Sequence, residues 1–344
     1  MNIQCPLPAH EGEVVLLGHG AGGRLTGELL DQLVLPAVGG GTGPLEDAAL
    51  LPGNPRLVMS TDSFVVSPLF FPGGDIGSLA VHGTVNDLAM RGAWPLALSV
   101  SLIVEEGLPL AELRAVMESL GKAAQDVGVP VITGDTKVVG RGAADRLFIN
   151  TTGVGQRHEL LAPSAALAHP GDAVLLSGSI GLHGTTVLGT REGLGFESDI
   201  ASDSRPLHRL VRALAPLGDA VHVLRDPTRG GLAAALNEIA RDSSAAVEVE
   251  ESAVPVPEAV ASACDLLGLD PLVVANEGCL VAFVEADAAE SALAAMRSVP
   301  EGARAVRIGE VLREGPRGRV TLRTLVGARR IVEMPQGEQL PRIC

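Results

Sequence analysis

The chain ends on Pro341-Arg342-Ile343-Cys344, which puts a nucleophilic sulfur at the most mobile point of a polypeptide. An end residue seldom packs, so burial, the usual reason for a cysteine, does not account for Cys344. Pro335, Gly337 and Pro341 deny the preceding segment a helix. Residues 334–344 therefore read as a strap that reaches on the order of 35 Å. A second set of residues suits cation chemistry. Asp47 lies in Glu46-Asp47-Ala48-Ala49, Asp62 in Ser60-Thr61-Asp62-Ser63, Asp87 in Val85-Asn86-Asp87-Leu88 and Asp135 in Gly134-Asp135-Thr136-Lys137. Each has apolar or small neighbours, where an unpaired charge is costly. Several carboxylates converging on a divalent cation remove that cost. A satisfied polar core residue is the plainer account of Asp87 alone, and fits the four together poorly.

Arg225-Asp226-Pro227-Thr228-Arg229-Gly230-Gly231 combines arginines with glycines that open a helix, a setting for an anionic ligand. A turn with a helix cap is its plain alternative. Ala275-Asn276-Glu277-Gly278 presents one carboxylate in apolar surroundings. Gly18-His19-Gly20-Ala21-Gly22-Gly23 satisfies G-x-G-x-x-G, but the second strand ending in an acid, needed about twenty residues on for a dinucleotide, is absent. A glycine loop that admits phosphate to backbone N–H groups is retained, with Gly20, Gly22 and Gly23 as its positions. No P-loop motif occurs.

These residues need elements to hold them. The pattern predicts strands at 14–17, 57–60, 96–104, 129–133 and 147–154, with helices from 24, over 75–91 and over 109–127. Leu110, Leu113, Val116, Met117 and Leu120 repeat at helical spacing. Residues 156–171 read as a linker. A second series follows: strands at 173–176, 220–224, 247–249, 280–284 and 305–311, helices at 206–215, 230–241, 258–267 and 286–297. Strand 147–154 follows a strand with no helix between, which favours α+β over a doubly wound parallel sheet.

The 344 residues make two domains the expectation. Net charge is -15, aromatic residues are 2% and tyrosine is absent; phosphate backbones, anionic membranes and stacked single strands are poor partners for such a surface. Any nucleotide would arrive with Mg²⁺. No apolar run approaches a membrane span and the first residues lack signal-peptide form, so the cytoplasm is expected. Cys5, Cys264, Cys279 and Cys344 form no C-x-x-C pair, and Cys264 and Cys279 read as packing residues.

Taken in order, Ser60-Thr61-Asp62-Ser63, Pro68-Leu69-Phe70-Phe71-Pro72-Gly73-Gly74, Asn86-Asp87, Gly134-Asp135-Thr136-Lys137-Val138-Val139, Phe148-Ile149-Asn150-Thr151, Asp226-Pro227-Thr228-Arg229-Gly230-Gly231, Ala275-Asn276-Glu277-Gly278 and Pro341-Arg342-Ile343-Cys344 resemble the HypE family. Its members are carbamoyl dehydratases of [NiFe]-hydrogenase maturation within the aminoimidazole-ribonucleotide-synthetase-like superfamily. The resemblance covers essentially the whole chain. The family loop His-Gly-Ser-Gly-Gly has Ala21 in place of Ser, which keeps backbone contacts and forfeits a hydroxyl. Where relatives often carry two aspartates this chain has Glu46-Asp47, and Glu46 is left outside the metal set.

The resemblance implies an α+β protein of two domains: residues 1–155, an α/β domain that binds ATP and forms a shared barrel in a homodimer, and 156–333, an α+β domain. Residues 334–344 are then a mobile tail. It implies ATP bound through Gly20, Gly22, Gly23, Asp62, Asp87, Thr136, Asp226 and Arg229, and Mg²⁺ on Asp47, Asp62, Asp87 and Asp135. A HypF-type carbamoyltransferase would load Cys344, with Lys137 and Glu277 as catalytic groups whose roles stay undivided. The cyanide would pass to iron on a HypC–HypD complex. A selenophosphate synthetase or ribonucleotide cyclo-ligase of the same superfamily is one alternative, and neither explains the terminal Cys344; a non-catalytic scaffold docking by its tail is the other, and ATP turnover only on a carbamoylated tail separates it from the enzyme.

Overall fold

The computed structural model of the chain describes residues 15–38, 44–193, 200–336, 340 and 342–344. Cys5 and the glycines at 39–41 and 43 lie outside them. Near the start, Leu17–Gly20 forms a turn of 3-10 helix instead of the expected strand. Val15 and Leu17 stay exposed, and among the described residues no strand lies alongside to complete a ladder, so their apolar character builds no sheet there. Helix α1 (Arg24–Leu29) follows the glycine cluster as expected.

The first domain is a five-stranded sheet carrying two helices. Its elements are β1 (Ala49–Leu51), β2 (Asn54–Phe64), α2 (Ile76–Met90), β3 (Ala93–Glu105), α3 (Leu110–Val127), β4 (Val131–Val139) and β5 (Leu147–Arg157). The strand order is β1-β2-β5-β3-β4, antiparallel except for the β3–β4 pair. Alternation sorts the side chains: Val58, Ser60 and Phe64 of β2 turn inward while Met59, Thr61 and Ser63 face out. Helix α2 is apolar nearly all round and accordingly buried nearly all round. Asp75 caps it, accepting from the backbone N–H groups of Gly77 at 2.7 Å and Ser78 at 3.2 Å. The expected short strand at 129–133 continues to Val139, so Gly134-Asp135-Thr136-Lys137 is strand and not loop. It is the sheet edge, and Val131 to Val138 are all exposed.

The second domain holds β6 (Ala173–Leu176), α4 (Leu182–Arg191), α5 (His208–Leu214), β7 (Val221–Arg225), α6 (Gly231–Asp242), β8 (Ala246–Glu250), α7 (Glu258–Leu267), β9 (Val281–Val284), α8 (Ala289–Arg297), β10 (Val306–Val311), β11 (Arg319–Arg323) and β12 (Arg329–Val332). These strands form one sheet in the order β12-β11-β8-β10-β6-β9-β7. Both faces are covered, which is why β6, β7 and β9 read as continuous apolar runs. Val174 and Leu176 pack towards α6, Ala173 and Leu175 towards α5 and α8. Cys264 and Cys279 are buried and free. Among the described residues no helix is long and apolar enough to cross a membrane.

The chain end packs, against the expectation for a terminal residue. Ile343 is 2% exposed and joins the first-domain core, with Cys344 against the same cluster. Its backbone finds partners along the stretch after β2. The N–H of Val65 donates to the Cys344 carbonyl at 3.0 Å and that of Ser67 to the Arg342 carbonyl at 3.4 Å. Arg342 donates to the Val65 carbonyl at 2.9 Å and pairs with Asp145. His183 Nε2 donates to the Ile343 carbonyl at 2.9 Å, and burial lowers the pKa of that ring.

Candidate active site

Three carboxylates from three elements meet where the domains abut. Asp47 precedes β1, Asp87 is on α2 and Asp226 follows β7, and one oxygen from each lies within 4.8 Å of the others. Close contact between α2 and β2 helps to assemble the group: at Gly83 a Cβ would come within 2.8 Å of the Phe64 ring and 3.6 Å of Asp62. Ser60 donates to Asp87 Oδ2 at 2.5 Å. Asp62, one inward step along β2, belongs to the same charge field.

Burial drives the titration of this group, with mutual repulsion adding to it. Asp47 and Asp87 are pushed well above the ordinary carboxylate range, first by burial, although Arg225 pulls Asp47 down. Asp226 is raised to about 6 by burial, and Asp62 is raised for the same reason. Arg225 pairs with Asp47 at 3.1 Å and with Glu238 at 2.5 Å. An all-oxygen, acid-rich set under mutual repulsion fits a hard divalent cation such as Mg²⁺.

A cavity of about 180 Å³ adjoins the carboxylates, lined among others by Gly22, Asp47, Asp226, Thr228 and Arg229. Gly22 has φ +75, and a Cβ there would sit 2.8 Å from the Arg229 Cβ, so backbone and arginine approach as only glycine permits. Arg229 Nη1 donates to the Gly20 carbonyl at 3.0 Å. The glycine loop thus closes onto the 226–231 turn, and a 3-10 turn and not a strand leads into it.

Glu277 is held more tightly than the sequence suggests. Asp203 accepts from the N–H groups of Glu277 at 3.2 Å and Gly278 at 2.9 Å. Asn276 Nδ2 donates to the Pro227 carbonyl at 2.9 Å, and its Oδ1 accepts from Gly181 at 2.6 Å. Asn86 Nδ2 donates to the Arg205 carbonyl at 3.1 Å, and its Oδ1 accepts from Leu207 at 2.7 Å. With its backbone pinned, Glu277 is 3% exposed and its Oε1 has no hydrogen-bond partner among the described residues. Burial, then the charges of Asp226, Asp62 and Asp203, push its carboxyl well above the usual range.

Cys344 sits in this field. Burial pushes its thiol up to about 12, Arg229 pulls it down, and Glu277, Asp62 and Asp87 push it further up. The same thiolate is the largest influence raising Arg229. The geometry agrees: Ile343 lines one cavity with Arg229, and the Cys344 carbonyl is bonded to Val65, three residues beyond Asp62.

Asp135, Thr136 and Lys137 are not brought to this group within the chain. Lys137 Nζ pairs with Asp135 at 2.7 Å on the exposed strand β4. Only Lys137 and Thr136 lower the Asp135 pKa, so it is electrostatically apart from Asp47, Asp87 and Asp226. The expectation that Asp135 completes the carboxylate cluster is corrected to that extent; its segment extends along the sheet edge instead of turning inward. Asp226, read from sequence only as an anion-loop residue, takes the third place. Its position directly after a buried strand was the available signal. Nothing in the Ser202-Asp203-Ser204 context marks Asp203.

Residues 45–156 match the family described as AIR synthase related protein, N-terminal domain, and residues 169–322 match its C-terminal domain. A carbamoyl dehydratase HypE of Cupriavidus necator is 51% identical over 347 residues, covering 100% of this chain and 98% of that protein. The chain belongs to the HypE family. HypE of Escherichia coli is 44% identical over 96% of this chain and 99% of its own. A crystal structure of HypE in complex with ATP superimposes with a TM-score of 0.81 at 51% identity, covering 96% of this chain and 100% of that one. HypE from a HypE–HypF complex gives a TM-score of 0.84 at 47% identity, covering 91% of this chain and 100% of that one. Thiamine monophosphate kinase from Aquifex aeolicus, at 18% identity and a TM-score of 0.64, shares the fold alone. The HypE relatives thus span both domains, and the two AIR synthase related units meet at the carboxylates.

Proposed function

We propose that the chain is an ATP-dependent carbamoyl dehydratase that turns a carbamoyl group on its own Cys344 into thiocyanate. The observation that carries this reading is the seat of the chain end: Ile343 and Cys344 pack on the first-domain core, the Cys344 carbonyl accepts from Val65, three residues beyond Asp62, and Ile343 lines one cavity with Arg229. The relative crystallised with ATP supports nucleotide use. The reaction balances as a thiocarbamate plus ATP giving thiocyanate, ADP and phosphate. The amide oxygen attacks the γ-phosphorus and ADP leaves. The C–O bond then breaks, the nitrogen loses two protons in all, and the former amide oxygen departs in phosphate.

Each residue has a place in that sequence. Gly20, Gly22, Gly23, Asp226 and Arg229 contact the nucleotide, Arg229 offsetting phosphate charge, and Thr136 would reach it only from the exposed edge of a partner copy. Asp47, Asp62, Asp87 and Asp226 are the residues that would hold Mg²⁺, which supplies charge neutralisation at the phosphates when bound. Asp135 and Lys137 stand on the exposed edge and would act in a homodimer that covers β4. The unpartnered carboxyl of Glu277 takes protons from the carbamoyl nitrogen once ionised. Apolar Met59, Leu96 and Ile103, exposed on the sheet face turned away from the helices, support such a dimer.

The docked thiol is unsuited to being loaded, since burial keeps it protonated. Loading by a HypF-type carbamoyltransferase therefore requires the tail to leave the cleft, and the relative solved with HypF supports that partner. Delivery of cyanide to iron on a HypC–HypD complex requires a second departure. The setting is cytoplasmic. Wild type and Cys344→Ala, incubated with the transferase and carbamoyl phosphate, test the acceptor. Carbamoylation of the C-terminal peptide in wild type alone supports the reading, and equal modification elsewhere in Cys344→Ala overturns it.

A further inference from the structure

A second cluster lies at the far end of the strand that leads to Asp226. His222 is on β7, four residues before Asp226, so roughly 13 Å of extended chain separates the two. His169 and Asp172 lie on the turn entering β6. Ligand atoms of His169, Asp172 and His222 all lie within 4.8 Å of one another. None of the three serves the carboxylate group around Asp47.

The cluster is built on fixed backbone. The Asp172 N–H donates to the His169 carbonyl at 3.0 Å, and the Asp172 carbonyl accepts from Val311 at 2.8 Å. The Asp172 carboxylate is 3% exposed and its Oδ2 accepts from the His169 N–H at 2.8 Å. His222 Nδ1 lies 2.8 Å from the same oxygen. That contact orients the imidazole and leaves Nε2 its lone pair in the neutral ring. The two imidazole rings meet edge to face with centroids 4.4 Å apart. His222 Nε2 is 3.9 Å from Glu285 Oε1, at the end of β9.

Charge selects the ligand. A cavity of about 350 Å³ opens here, lined by Ala162, Leu167, His169, Asp219, Val221, His222 and Glu285. Two imidazoles and two carboxylates line it, with no lysine or arginine. An anion would meet repulsion; a cation with a taste for imidazole nitrogen would not. Hard Mg²⁺ prefers oxygen and water, whereas mixed imidazole and carboxylate donors suit late first-row ions.

We infer that His169 and His222 form a binding site for a divalent transition metal ion of the zinc class, with Asp172 orienting His222 through Nδ1 and Glu285 as a further donor at the cavity mouth. Bound there, the ion ties the entry to β6 to strands β7 and β9. The site is separate from the proposed nucleotide cleft, so its failure and that of the proposed function are independent.

The test uses the full chain, stripped with a chelator and titrated with Zn²⁺ against a chromophoric competitor under excess Mg²⁺. Wild type and Cys344→Ser are expected to bind one equivalent at this site with a Kd at or below about 1 μM. His169→Gln, on an exposed ring, is expected to weaken that equivalent by at least about tenfold. His222→Asn, confirmed folded by circular dichroism, does the same, and the visible absorption of the Co²⁺-loaded protein is lost in both. Absence of micromolar Zn²⁺ binding in wild type, or an equivalent that survives both histidine substitutions, overturns the assignment.

Discussion

Substitution of Ile343 by Ala probes the docking of the tail without touching the reactive atom. Ile343 is 2% exposed against the first-domain core. Truncating such a side chain costs about 2–5 kcal/mol. We take about 2 kcal/mol, because the tail can lift away where a closed core cannot. Docked Cys344 has its pKa raised from 9.0 to about 12, which lowers its thiolate fraction near neutral pH by about a thousandfold relative to a free thiol. Alkylation therefore runs through the undocked tail, at the undocked fraction multiplied by the free-thiol rate. A loss of 2 kcal/mol raises that fraction about thirtyfold. The assay is iodoacetamide labelling of the apo protein under native conditions, followed on the C-terminal peptide so that Cys5, Cys264 and Cys279 do not contribute. Wild-type labelling at the rate of a free peptide of the same sequence would refute the reasoning, as would equal rates for wild type and Ile343→Ala.

Glu277→Gln keeps the shape of the buried side chain and removes its capacity as a base; thiocyanate formation on pre-carbamoylated protein should fall by about 10²–10⁴. Because burial raises the Glu277 pKa, wild-type dehydration should climb with pH as the carboxyl ionises, and the variant should lose that slope in single-turnover measurements. Asp87→Asn should lower Mg²⁺-dependent ATP turnover on the order of a hundredfold, and shift the Mg²⁺ concentration for half-maximal activity upward in a steady-state titration. Burial lowers the His82 pKa from 6.5 to about 4. Its neutral ring therefore favours folding fully above pH 6.5, and that contribution, at most about 3 kcal/mol, is lost as pH falls towards 4. Denaturant unfolding at pH 7 and pH 5 should show His82→Asn losing less stability on acidification than wild type.

Much of the scaffold was legible because its signals are local. Helix α3 follows from Leu110, Leu113, Val116, Met117 and Leu120 at helical spacing. Helix α2 follows from its small and apolar run, with Asp87 standing out inside it. The strands of the second domain were found where both faces are buried, as in Ala173-Val174-Leu175-Leu176. Strands β11 and β12 went unread because Arg319, Arg323, Arg329 and Arg330 break their apolar character at a sheet edge, where arginines pair with Glu248, Glu250 and Asp270. The same edge effect hid the length of β4.

The candidate site was legible by residue type and less so by arrangement. The carboxylates advertised themselves through apolar neighbours, but which of them meet depends on how the two domains abut. That contact brings Asp226 to Asp47 and Asp87 and leaves Asp135 with Lys137. Asn86 and Asp203 bond the Glu277 backbone from 191 and 74 residues away in sequence, and Asn276 beside it is tied to Pro227 and Gly181; no local pattern reports such bonds. The packing of Ile343 was likewise invisible, since it rests on partners at Val65, Ser67 and His183.

The fate of the carbamoyl oxygen tests the central claim most directly. Protein carrying a heavy-oxygen-labelled carbamoyl group on Cys344 is given unlabelled Mg-ATP for a single turnover, and the phosphate released and the C-terminal peptide are weighed by mass spectrometry. The account predicts one labelled oxygen in each phosphate released and a thiocyanate on Cys344. Unlabelled phosphate, with the heavy oxygen in water or still on the peptide, would contradict it.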